Sequence, residues 1–148
     1  MNSSAGKVPE AIERVLRRFA VMDRADKMQA LVQYSRMLEP VPERYRDVDR
    51  RAFTVPECQT RVDIFPEVQD GKMHFYADVN VRQSPTVAAV LAVVFAAVND
   101  QPPEVTLSIP ADFVRTLMDG IGLHAREAGL SAMITRLKRA AADAKPPD

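Results

Sequence analysis

Between Pro9 and Met22 the apolar residues Ile12, Val15, Leu16 and Phe19 recur at helical spacing, with Glu13, Arg14 and Arg17 on the opposite face. This predicts a first amphipathic helix. Met28, Leu31, Val32, Met37 and Leu38 continue a helical stripe until "EPVP" at Glu39 to Pro42, where proline excludes the helical conformation before it. The following "ERYRDVDRRAFTVPE" alternates charges without a sustained period and reads as a solvated loop, mobile from Arg51 to Glu57. The pattern then becomes two-fold. Thr60, Val62 and Ile64 alternate with Arg61 and Asp63, and Met73, Phe75, Ala77 and Val79 alternate with His74, Tyr76 and Asp78. An Asp70-Gly71 turn between them predicts a hairpin.

Ser84 and Pro85 are a cap and a first helical residue for a segment that is apolar on nearly every side, and so is expected to be buried. "EVTLSIP" alternates like a strand but is short and flanked by prolines, so its assignment stays open. A short helix from Pro110 to Gly120 and a long amphipathic one carrying Leu130, Met133, Ile134 and Leu137 complete the chain. The order of helices, hairpin and helices predicts an α+β fold: a small antiparallel sheet of about three strands, packed by helices from both ends of the chain.

A length of 148 residues suits one domain over 1–148, with frayed ends at about 1–7 and 143–148. Twenty basic residues balance twenty acidic ones, so nothing in the charge favours nucleic-acid binding. The N-terminus has no apolar stretch of the secretory kind, which points to the cytoplasm. The longest apolar run, Val87 to Val98, falls short of the ~18 residues of a membrane-spanning helix.

Cys58 is the only cysteine, so internal disulfides and CxxC chemistry are excluded. A lone intracellular cysteine is most often a small buried hydrophobe. Here its neighbours are Pro56, Glu57, Gln59 and Thr60, none of them apolar packing material, which favours exposure. A working thiol must ionise, and the adjacent Glu57 opposes that unless an arginine such as Arg61, Arg82 or Arg126 approaches. A thiol that is quiet alone and activated by a partner suits a carrier. The two histidines, His74 and His124, leave a Cys-His hydrolase and a metal site with little support, and no glycine-rich phosphate loop is present.

From about Leu31 to Leu137 the chain resembles the SufE family of sulfur-acceptor proteins. The signature V-x-G-C-Q-S stands as Val55, Pro56, Glu57, Cys58, Gln59 and Thr60, with Glu57 replacing the usual glycine. The pattern R-x-x-G-L-x-x-M recurs as Arg126, Gly129, Leu130 and Met133. The resemblance implies an α+β domain similar to iron–sulfur scaffold proteins. It also implies that Cys58 accepts persulfide sulfur from a SufS-like, pyridoxal-phosphate cysteine desulfurase, stimulates it, and passes the sulfur to an iron–sulfur scaffold complex. The protein itself would need no cofactor or metal. Arg126 would stabilise an anionic sulfur and Gln59 would orient the loop. A non-catalytic adaptor of the same fold, which binds a desulfurase or scaffold without carrying sulfur, is the competing expectation, and a hydrolase using His124 a third.

Overall fold

The computed structural model describes residues 10–58, 60–121 and 124–145. Helix α1 (Glu10–Ala20) buries Ile12 and Phe19, and its acidic first turn and basic last turn oppose the helix dipole favourably. Asp23 caps α2 (Arg24–Ser35) by accepting from the Asp26 amide at 2.8 Å. The face that α2 buries carries Lys27, Ala30, Leu31 and Ser35, whereas Met28 (38%), Val32 (41%) and Met37 (66%) are exposed. The expected stripe is therefore rotated. Lys27 makes this possible by donating from Nζ to the Asp119 carbonyl at 2.6 Å, which satisfies its buried ammonium.

Strands β1 (Val62–Gln69) and β2 (Lys72–Val79) pair antiparallel from Val62 opposite Val79 to Gln69 opposite Lys72. Asp70 and Gly71 both take positive φ at the turn (55° and 77°), the geometry that matches strand twist in a tight hairpin. Both outer edges of this two-stranded sheet are occupied. On the β1 side, the Val55 amide donates to the Val62 carbonyl at 2.9 Å and the Ile64 amide to the Phe53 carbonyl at 2.8 Å. On the β2 side, Met73 pairs with Gln101, and the Asn99 side chain takes the Phe75 amide at 2.7 Å while returning a bond to the Phe75 carbonyl at 3.1 Å.

Val62, Ile64, Phe75 and Ala77 face the core. The core's centre is α3 (Pro85–Val98), which packs on α1, α2 and β2 and buries ten of its residues. Short helices α4 (Pro103–Leu107) and α5 (Phe113–Leu117) follow, so the first four residues of "EVTLSIP" are helical and the rest is a turn. Helix α6 (His124–Ala144) closes the fold against α4, α5 and β1 through Leu130, Met133, Ile134 and Leu137. It runs through 143–144, which were expected to fray, whereas 1–7 and 146–148 lie outside the described residues.

The charged segment before β1 exposes most of its charges, as expected of a solvated loop, but it is not loose. It folds over the outer face of the hairpin, where Tyr45 stacks on Phe65 at 4.4 Å and Phe53 meets the same ring at 4.8 Å. Arg44 and the Tyr45 hydroxyl both reach Glu67, and Arg50 bridges Asp63 and Asp78, which lie directly opposite each other in the strands. Two aromatics supply the apolar contact and the arginines neutralise strand carboxylates.

Candidate functional site

Residues 53 to 64 form a second, irregular hairpin with Cys58 near its tip. Its first arm is the edge pairing of Phe53 and Val55 with β1. Val55 then begins a β-turn closed by the Cys58 amide on the Val55 carbonyl at 3.4 Å, with Pro56 at the second position, where its fixed φ is pre-set. Val55 is 2% exposed and anchors the turn in the core, while Pro56 and Glu57 stand in solvent.

Cys58 is half-buried and packs on the edge of the core, so the exposure expected from its neighbours holds for Pro56 and Glu57 but only partly for the thiol. The Arg51-to-Glu57 segment is likewise held rather than loose. The Arg136 guanidinium donates to the Ala52 carbonyl, Thr54 bonds both the Arg50 carbonyl and the Asp63 carboxylate, and Phe53 and Val55 are paired.

What covers the cysteine is α6. At Gly129 a Cβ would lie 3.2 Å from Cys58 Cα, 3.5 Å from Cys58 Sγ and 3.5 Å from the Glu57 carbonyl oxygen. The loop therefore rests directly on helix backbone. Beyond the cysteine, Thr60 is fixed by Ser84, whose hydroxyl donates to Thr60 Oγ1 at 2.7 Å. That bond replaces the helix cap expected of Ser84, which makes no side-chain capping bond. Glu57 needs none of a glycine's special freedom, because positive φ among the described residues is confined to Asp70, Gly71, Asp100 and Gly120.

Of the expected partners, Arg61 sits 3.4 Å from Asp63, itself 1% exposed at the root of the loop. Arg126 begins the helical turn that leads to Gly129, but its side chain lies outside the described residues, as does Gln59. The same holds for the side chain of His124. His74 lies on β2 between Glu39 (2.8 Å) and Asp100 (3.0 Å), with both ring nitrogens engaged by carboxylates. Burial alone would lower its pKa, but hydrogen bonds accepted by the Asp100 and Glu39 carboxylates raise it above the ordinary value. Its hydrogen-bonding capacity is spent there, which removes it as a base for Cys58.

Among the described residues no group of three or more His, Cys, Asp or Glu side chains is arranged to hold a metal ion. No described helix is long and apolar enough to cross a membrane. The site is thus one thiol on an anchored turn, backed by a bare patch of helix. Gly129 was legible only as a motif position, since nothing local to it announces a contact with Cys58.

A family model described as "SufE: Fe-S metabolism associated domain" matches residues 13–141. Two curated proteins of Mycobacterium tuberculosis, from strains CDC 1551 / Oshkosh and ATCC 25618 / H37Rv, are each named an uncharacterized SufE-like protein. Each is 27% identical over 145 residues, covering 93% of this chain and 95% of the relative. The solution structure of a hypothetical protein from Thermus thermophilus shares the fold with a TM-score of 0.78 and 27% identity, over 93% of this chain and 97% of that one.

Proposed function

This chain belongs to the SufE family of Fe–S metabolism associated domains, and from that premise we propose that it is a sulfur acceptor and carrier that loads Cys58 from the persulfide of a cysteine desulfurase. The observation that carries the reading is the setting of the thiol: a sole cysteine near the tip of a turn anchored on both sides, half-buried against α6. A side chain that merely filled the core would not need a projecting turn. A thiol kept partly covered until a partner engages it suits a carrier of labile sulfur.

In the transfer, the Cys58 thiolate attacks the outer sulfur of the partner's cysteine persulfide. The partner's S–S bond breaks as the new S–S bond forms, the partner's cysteine leaves as its thiolate, and the proton lost by Cys58 passes to solvent or to that thiolate. No external oxidant or reductant is consumed. The partner's pyridoxal phosphate generates the persulfide; this chain supplies the acceptor and its cover. The absence of a second cysteine supports the reading, because a neighbouring thiol would attack the persulfide, release sulfide and close a disulfide. Delivery to an iron–sulfur scaffold, with stimulation of the desulfurase, completes the proposed role. Arg126 is proposed to offset the anionic sulfur and Gln59 to orient the turn.

Intact-mass analysis with peptide mapping tests this after incubation with cysteine and a catalytic amount of a pyridoxal-phosphate desulfurase. The expected result is a gain of one sulfur on the Cys58 peptide, removable by reductant and absent from Cys58→Ala. Stimulation of the desulfurase that survives in Cys58→Ser without any mass gain in the parent protein would establish an adaptor instead.

A further inference from the structure

The contact at Gly129 fixes where Cys58 can sit, and nothing in the proposed chemistry assigns that glycine a task. Glycine is the poorest helix former after proline, yet Gly129 lies inside the long helix α6 with helical neighbours on both sides. Its φ is not positive, so no backbone requirement explains it. Space does. A methyl group at this position would lie 3.2 Å from the Cα of Cys58, closer than an ordinary carbon contact, and in van der Waals contact with two further atoms of the turn at 3.5 Å; the tight contact is with backbone rather than with the free end of a side chain. The turn has little slack to yield, because Val55 is fixed to Val62 on one side and Thr60 to Ser84 on the other. Arg136, two helical turns further along α6, holds the Ala52 carbonyl at the base of the same loop.

We propose that Gly129 is a positioning residue: the bare patch it leaves on α6 is the seat on which the Cys58 turn closes, and it sets how much of the sulfur is covered. A larger residue there unseats the turn without removing any group that takes part in sulfur transfer. The coverage arm of this inference stands on geometry alone, while its consequence for persulfide lifetime rests on the sulfur-carrier reading. Seat and helix make opposite demands on position 129. Gly129→Ala raises helix propensity, so α6 itself gains while the seat is pushed outward by a few tenths of an ångström.

The test is the rate of Cys58 alkylation by iodoacetamide in the free protein, compared with thermal stability, for the parent, Gly129→Ala and Gly129→Val. The expected result is faster alkylation in both variants, on the order of tenfold for valine, which corresponds to about 1.4 kcal/mol of closing free energy. Melting temperatures should not fall in proportion. Alkylation at the parent rate in both folded variants overturns the proposal. If Gly129→Val does not fold, Gly129→Ala decides alone. A persulfide loaded on Gly129→Ala should be lost to reductant faster than on the parent. If the parent never loads sulfur yet the variants alkylate faster, the carrier reading fails and the seat remains.

Discussion

Replacing Arg50 with alanine tests the charged scaffold at the root of the cysteine turn. Its guanidinium lies 3.3 Å from the Asp63 carboxylate, pairs also with Asp78, and stands over the Phe65 ring at 5.5 Å. Asp63 is 1% exposed, so its charge has almost no solvent to fall back on. Breaking a buried pair from one side costs about 3–5 kcal/mol when the remaining charge has no other support. Asp63 keeps the Thr54 hydroxyl and the more exposed Arg61, which brings the expected loss to about 2–3 kcal/mol. Asp63 and Asp78 are then left facing each other across the strands, which adds about 0.2–1 kcal/mol. Together these give roughly 3 kcal/mol, or a fall in Tm of about 6–12 °C for a chain of this size. Urea and thermal unfolding followed by circular dichroism read both quantities. Asp63→Asn placed on Arg50→Ala should recover about half of the loss, because the uncompensated charge is then gone. An Arg50→Ala protein within about 0.5 kcal/mol of the parent would refute the reasoning and class these pairs with ordinary surface salt bridges.

Asn99→Ala removes both bonds that stand in for a strand on the edge of β2, leaving the Phe75 amide without its acceptor; the expected loss is about 2 kcal/mol. Amide exchange at Phe75 should quicken with it, and unchanged exchange would contradict the role given to Asn99. His74 has a folded-state pKa above its unfolded value near 6.5, so its contribution to stability is complete below about pH 6.5 and fades as pH rises through the folded pKa. Unfolding free energy measured across that window should decline in the parent and flatten in His74→Gln, and an NMR titration placing His74 at or below 6.5 would refute it.

Elements whose signal is local were legible in the sequence. The alternation around Asp70-Gly71 gave β1 and β2, Ser84-Pro85 marked the start of α3, and the period of Leu130, Met133, Ile134 and Leu137 gave α6. What escaped depends on partners remote in sequence. Lys27 is buried on α2 because the Asp119 carbonyl receives it, so the apolar stripe through Met28 and Val32 pointed to the wrong face. Tyr45 and Phe53 lie too far apart to form a period, yet both meet Phe65, which turns a run of charges into a cover for the sheet. Cys58 could be found from its uniqueness and its motif. Its half-burial could not, because the covering atom is a missing one, the side chain that Gly129 does not have.

The anchoring of the cysteine turn sets a limit on travel. With Val55 held to β1 and the chain re-entering the sheet at Val62, only the residues between them can swing without unzipping an edge, and they do so only once the Thr60–Ser84 hydrogen bond opens. Three peptide units separate Val55 from Cys58, and at about 3.3–3.6 Å each a fully drawn-out tether reaches roughly 10 Å. On the sulfur-carrier reading proposed above, a partner would have to bring its sulfur to within that radius, extended by one cysteine side chain, of Val55, and any deeper cleft would have to admit the rim of the domain itself.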